Sequence, residues 1–173
     1  LLKPGKTITL DSIFVAKAKT ENLLTLYFET IKKTLKLKTL GKHIRGWCSW
    51  YYYYNRIKPQ DILANLNVIK EKNLPIDLVQ IHDGYARAVG DWLTLTPEFE
   101  GKMKMLADSI RDAGYIPGIW IAPFIADKKS EIVKYRPEFL LRNEHGKRIM
   151  AGYNVFWPGH FYYGLDITNP QFE

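Results

Sequence analysis

The sequence predicts an α/β protein whose core is a run of parallel βαβ units. Three observations predict it. Strand-like runs fall at 46–54, 76–81 and 115–122, the first with the continuity of a strand buried on both faces and the third interrupted by Pro117-Gly118. Two stretches between them, 59–72 and 101–113, carry apolar residues at helical spacing. The resulting order, strand-helix-strand-helix-strand, is the one that parallel neighbours require, because each crossover needs roughly a dozen residues or more. Such units build a closed (β/α)8 barrel or an open sheet, and the pattern leaves that choice open.

The first forty residues read differently. After a Pro4-Gly5 turn, Thr7-Ile8-Thr9-Leu10 and Ser12-Ile13-Phe14-Val15-Ala16 are short β-prone runs. Glu21 to Lys33 is helical, with Leu24, Tyr27, Phe28 and Ile31 at 3/4 spacing and Thr20 as its N-cap. Residues 34–44, rich in Lys and Thr, read as a linker. The first strand is then expected over Gly46–Tyr54. Pro59 suits an early helical position, and Ile62, Leu66 and Ile69 fall on one face of the helix that it opens. Ile76–Ile81 is the second strand. Met103, Leu106, Ile110 and Ala113 face inward from the second helix, and Gly114 stops it. Tyr115–Ala122 is the third strand. The loops leaving the second and third strands cover about 85–100 and 125–168; loops beyond about 12–15 residues in a compact domain are usually functional.

Composition removes several classes of function. At 46% hydrophobic and 25% charged, the chain is globular rather than disordered. A single cysteine, Cys48, excludes an intramolecular disulfide framework and any multi-cysteine zinc site, and within its strand it reads as inert packing. No apolar run is long enough to span a bilayer. The formal charge of +7 comes from one place: between Thr30 and Gln60 lie eight cations and no carboxylate, and the rest of the chain sums to −1. That stretch reads as a solvated, Lys-rich connector, not a nucleic-acid or membrane surface. One cysteine and no export signal point to a cytoplasmic protein.

In parallel βα folds the active site gathers at the C-terminal strand ends. Those ends carry Ser49-Trp50-Tyr51, His82-Asp83-Gly84-Tyr85 and Trp120 to Phe124. Indoles beside carboxylates suit a sugar: a pyranose lays a flat patch of C–H bonds on an aromatic face while its hydroxyls need acceptors at the rim. Trp47, Trp50, Trp92, Trp120 and Trp157 with Asp83 and Asp91 meet that demand, and strand alternation allows only one of Trp47 and Trp50 to face a pocket. Tyr51 to Tyr54 read as strand core with one wet hydroxyl. Asp83, a carboxylate at a strand end, is the first choice for a nucleophile on residue type alone.

The ordered motifs carry more. Gly46-Trp47-Cys48-Ser49-Trp50-Tyr51, Gln80-Ile81-His82-Asp83-Gly84-Tyr85, Gly90-Asp91-Trp92, Gly118-Ile119-Trp120-Ile121-Ala122-Pro123-Phe124 and Leu165-Asp166 follow one another. In this order and spacing they resemble the α-galactosidase (melibiase) family, glycoside hydrolase family 36, which includes raffinose-synthase-like relatives. The resemblance implies that residues 1–40 end an N-terminal β-sandwich domain. It implies that 41–173 form the first three βα units of a catalytic (β/α)8 barrel. It further implies retaining hydrolysis of terminal α-galactosidic linkages in oligosaccharides, by one nucleophilic and one acid/base carboxylate, without metal or organic cofactor. The family's nucleophile sits in a Lys-x-Asp motif on the fourth strand, and its acid/base Asp lies further on. Neither motif occurs here, so no catalytic residue is expected in this chain and both carboxylates are expected beyond Glu173. The chain reads as a truncated piece that does not catalyse alone and, with its strand edges uncovered, aggregates or stays partly molten.

By motif match, Trp50 stacks in the pocket, Trp120 lines it, Trp157 closes it and Asp83 contacts sugar hydroxyls. Asp91 and Trp92 organise the loop after the second strand, and Asp166 ties down the long third loop. His82 stands where the family has the first of two adjacent aspartates. Exchanging an acceptor-only carboxylate for a neutral imidazole at a buried hydroxyl costs on the order of 1–3 kcal/mol and bears on the glycone preferred. With no second histidine near it in sequence, His82 is not read as a metal ligand. Two alternatives accompany hydrolysis: α-galactosyl transglycosylation, as in the raffinose-synthase-like relatives, and a non-catalytic sugar-binding protein.

Overall fold

The structure is a computed structural model and describes residues 4–9, 13–17, 19–38, 41 and 43–172. Residues up to His43 and residues from Ile44 onward form two separate compact units.

The first unit contains one regular element among its described residues, the helix α1 (Thr20–Thr34). It begins one residue before the periodicity predicts, with Lys19, not Thr20, in the N-cap position. Tyr27 packs its ring against Phe14 at 5.5 Å and against Phe28 at 5.6 Å. The β-prone runs are corrected: Thr7–Thr9 and Ile13–Ala16 form no strand, while Leu10 and Ser12 lie outside the described residues. Short β-branched runs without a partner strand satisfy none of their backbone groups, so propensity alone does not make them strands.

The second unit fulfils the α/β expectation. Its strands β1 (Gly46–Cys48), β2 (Leu78–Ile81) and β3 (Ile116–Ile119) pair in parallel in that order, with Cys48 opposite Gln80 and Ile81 opposite Ile119. The crossover helices are α3 (Pro59–Glu71) and α4 (Met103–Asp112). Pro59 opens α3, where its missing N–H costs no hydrogen bond, and Asp61 accepts the Lys58 N–H at 2.9 Å. Ile62, Leu66 and Ile69 of α3 and Leu106 and Ile110 of α4 are buried against Val79 and Ile81, as their spacing predicts. Gly114, with φ +89°, follows the last turn of α4.

The first strand is corrected. β1 stops at Cys48, and Trp50–Tyr53 form a single helical turn, α2, followed by a 3-10 turn over Tyr54–Arg56. Tyr51 and Tyr52 are 85% and 79% exposed, so they are not strand core. The cause lies at Ser49. Its N–H still donates to Gln80 O at 3.3 Å, but its carbonyl accepts from Tyr53 N at 3.1 Å, which turns the chain into a helix. The third strand also ends early, at Ile119, with Trp120 N making one last bond to Ile81 O at 2.9 Å.

The long third loop holds a small layer of its own. β4 (Ile125–Asp127), β5 (Met150–Tyr153) and β6 (Phe161–Gly164) form an antiparallel sheet in the order β4-β6-β5, with a bulge between Met150 and Gly152. A short helix α5 (Glu131–Tyr135) and a 3-10 turn over Pro137–Phe139 pack beside it around Ala126, Val133, Leu140 and Leu165. The two-residue alternation of these strands is too short to stand out in the sequence.

Candidate functional site

Every parallel strand delivers its aromatic or acidic residues just past its last ladder bond. Ser49, fully buried, joins the ends of the first two: its Oγ accepts from the His82 N–H at 3.0 Å. Trp120 N, bonded to Ile81 O, joins the third. Trp50, His82 and Trp120 are thereby brought together. The His82 imidazole stacks on the Trp120 indole (4.6 Å between centroids, 19° between planes) and lies tilted against Trp50 at 4.9 Å. Trp92 meets Trp120 edge-on at 5.8 Å, and Phe156 meets Trp50 edge-on at 5.5 Å while stacking on Tyr54 at 4.8 Å. Trp47 packs against the hydrophobic core instead.

His82 occupies the gap between two indoles, which leaves its ring partly desolvated. Burial lowers its pKa from the ordinary 6.5, so the neutral imidazole is favoured. Its Nδ1 is buried and has no hydrogen-bond partner.

Asp83, the next residue, belongs to a different constellation. Its Oδ1 accepts the Gly84 N–H at 2.8 Å, and its Oδ2 accepts the indole Nε1–H of Trp157 at 2.7 Å. Burial pushes the carboxyl above its ordinary value of 3.8; the Trp157 and Gly84 donors pull it back part of the way, and the charge of Asp127 pushes upward again. Tyr85, fully enclosed and donating its hydroxyl to Trp120 O at 3.0 Å, is pushed up to about 12 by burial and by the nearby Asp83 charge. Gly84 sits at φ +112°, and a Cβ there would stand 2.7 Å from the Asn55 carbonyl oxygen, so only glycine lets the two loops touch.

Asp83, Gly84, Asn55, Arg87, Phe156 and Trp157 line a cavity of about 180 Å³. Trp50, His82 and Trp120 do not line it. The link between the two groups is Phe156, which packs on Trp50, lines the Asp83 cavity and accepts at its carbonyl from the Asn55 side-chain amide. Asn55, Gly84 and Thr96 also border a larger hollow of about 830 Å³, faced by Tyr52, Tyr53 and Arg56.

The other residues singled out in the sequence act on the scaffold. Asp91 accepts from Glu131 N at 2.8 Å and Ile132 N at 3.2 Å, holding the start of α5. Asp166 accepts from Thr168 N at 3.0 Å and Thr168 Oγ1 at 2.6 Å, closing the turn before Asn169. Glu173, the position beyond which the two catalytic carboxylates are expected, lies outside the described residues. Among the described residues no cluster of three or more His, Cys, Asp or Glu is arranged to hold a metal, and no helix is long and apolar enough to cross a membrane. The sequence places Ser49 at the strand end but does not disclose its bridging bond to His82, nor Asn55, Phe156 or the Trp157–Asp83 bond. The bond joins positions 74 residues apart, and no local pattern announces it.

No protein-family model matches the chain. Its curated relatives and structural neighbours are nevertheless α-galactosidases, several named as members of glycoside hydrolase family 36, which bears out the resemblance read from the motifs. Alpha-galactosidase Mel36A of Lactobacillus acidophilus is 24% identical over 105 residues, covering 57% of this chain and 14% of that protein. The structure of TtGalA, an α-galactosidase from Thermus thermophilus solved with stachyose, is 36% identical with a TM-score of 0.69, covering 76% of this chain and 28% of that one. The GH36 α-galactosidase AgaA of Geobacillus stearothermophilus shares the fold at 20% identity and a TM-score of 0.60, over 73% of this chain and 17% of that one. The chain thus spans less than a third of the length of these relatives.

Proposed function

We propose that this chain forms part of the sugar-binding wall of a retaining glycoside hydrolase that cleaves terminal α-galactosidic linkages in oligosaccharides. In this reading β1, β2 and β3 are the first three strands of a (β/α)8 barrel, and residues 1–40 end a preceding β-sandwich. Substrate meets the ends of the three strands, with no metal or organic cofactor, in a cytoplasmic protein. The observation that carries the reading is the gathering of Trp50, His82 and Trp120 at adjacent parallel strand ends, with Phe156 linking this ring cluster to the Asp83–Trp157 pair, in a chain 36% identical over 76% of its length to an α-galactosidase solved with stachyose.

The chemistry follows from how each group is held. Asp83 has an N–H donor on each oxygen, so it is a fixed acceptor and not a free nucleophile. It receives a sugar hydroxyl on its remaining lone pairs and turns the ring toward the reacting centre. The indole edges and faces around His82 supply an apolar wall for the C–H face of the sugar. In this reading the nucleophile and the acid/base carboxylate are supplied by other residues of the complete protein, and these 173 residues alone do not catalyse.

The test is hydrolysis of p-nitrophenyl α-galactoside by the complete protein, with the α-glucoside alongside and a His82→Asp variant in parallel. Galactoside cleavage with retention of configuration is expected. His82→Asp raises preference for the galactoside, because a second acceptor is restored at the strand end. Cleavage of neither glycoside, with the sugar still bound, would leave the non-catalytic binder standing instead. Transfer to a sugar acceptor in preference to water would identify the transglycosylase.

A further inference from the structure

Asp127 is an ionisable side chain with no solvent access. A carboxylate in such a place is stable only where donors surround it. Its Oδ1 accepts from Lys129 N at 2.7 Å, closing a local turn. Its Oδ2 reaches further and accepts from Gly159 N at 3.0 Å, 32 residues away. Gly159 fits the carboxylate closely, since a Cβ there would stand 2.3 Å from Oδ1.

Asp127 is itself immobilised. It ends β4, pairs with Tyr162 of β6, and donates its N–H to Val89 O at 2.8 Å. What it holds is the loop bearing Trp157. That loop is folded on itself, with Trp157 N on Asn154 O at 3.2 Å and His160 N on Trp157 O at 3.0 Å. Its near side is tied by Asn55 to the Phe156 carbonyl, and its far side by Asp127 to Gly159. The Trp157 indole, 6% exposed and edge-on to Tyr162 at 4.9 Å, lies between the two anchors and donates to Asp83.

We infer that Asp127 is a positioning residue for the Asp83 site: its carboxylate fixes the Gly159 amide and, through two residues of backbone, keeps the Trp157 indole N–H on Asp83. The tether stands on the geometry alone. Only its consequence for sugar affinity rests on the proposed function.

The test uses the complete protein with 15N-labelled indoles, and the Trp157 signal is assigned by its loss in Trp157→Phe. Asp127→Asn keeps the side-chain volume but turns one acceptor into a donor that faces an N–H. It is expected to move the Trp157 Nε1–H resonance and to speed its exchange with solvent by about tenfold or more. The signals of Trp47 and Trp50 are expected to stay in place. Binding of melibiose weakens by about tenfold, the order expected when one hydrogen bond that holds a charged binding group is loosened. An unchanged Trp157 signal, with only a lower melting temperature, overturns the inference and leaves Asp127 as scaffold.

Should Asp127→Asn fail to fold, exchange in the unmodified protein decides. Matched rates at the Gly159 amide and the Trp157 indole support one shared opening, and an indole about tenfold faster than that amide overturns it. Failure of the unmodified protein to bind any α-galactoside would refute the proposed function while leaving the indole readout intact.

Discussion

At Asp83, burial and hydrogen bonding pull in opposite directions, and the Trp157 indole is the larger of the two donors that resist burial. Trp157→Phe removes that donor while keeping an aromatic ring. We expect a loss of about 1.5–3 kcal/mol of stability in urea unfolding at neutral pH, the usual cost of a hydrogen bond to a charged group, together with a further upward shift of the Asp83 carboxyl. The two neighbours at the end of β2 also give opposite pH dependences. Asp83 keeps its proton to higher pH in the native state than its ordinary 3.8. Its contribution to stability is therefore complete below that value and lost as pH rises through the native pKa. His82 gives up its proton below its ordinary 6.5, so its contribution is complete above 6.5 and lost as pH falls through the native pKa. Urea midpoints measured from pH 3.8 to 6.5 should lose the first trend in Asp83→Asn and the second in His82→Gln.

At the level of elements, the junctions between strands and loops matter more than the strands, which are only three or four residues long. Ser49 is the clearest case, since its carbonyl opens the helical turn that ends β1 and its buried hydroxyl fixes the start of the loop after β2. Ser49→Ala leaves the His82 N–H without its partner and should cost about 1–3 kcal/mol, read as a lower melting temperature. Asp91 plays the corresponding part for α5, and Asp91→Ala should cost about 0.5–2 kcal/mol, the range for a lost helix cap. These junctions mark the limit of what the sequence discloses. The periodicity of Ile62, Leu66 and Ile69 and of Leu106 and Ile110 needs nothing beyond the helix itself, so α3 and α4 are legible. The aromatic run 50–54 is not, because tyrosine suits a strand wherever a partner exists and a turn of helix where Ser49 bends the chain.

For the whole molecule, the parallel sheet is legible because its strands alternate with helices of clear periodicity, although only β2 of the three carries buried residues and the expected burial of the first strand on both faces is not met. The antiparallel layer is not legible, since β4 pairs with β6 across the whole intervening loop and β5 joins β6 through an irregular register. The same holds for the site. Trp50, His82, Asp83, Trp120 and Trp157 could be picked out, but their division into a ring cluster and a hydrogen-bonded pair could not. Within the described sheet β1 and β3 each pair on one side only, and Ile116, Ile119, Ile121 and Phe124 remain exposed around β3. Expressed as these 173 residues, the chain should aggregate or stay partly molten, to be checked by size exclusion and thermal unfolding; a sharp transition of a soluble monomer would count against this. Phe156 has a further consequence. Because it braces Trp50 and Tyr54 while its carbonyl is latched by Asn55, the loop from the first strand and the loop from the small sheet are locked to each other before any ligand arrives. On the proposed function, a saccharide would meet two loops already tied to each other, which lowers the ordering cost of its capture.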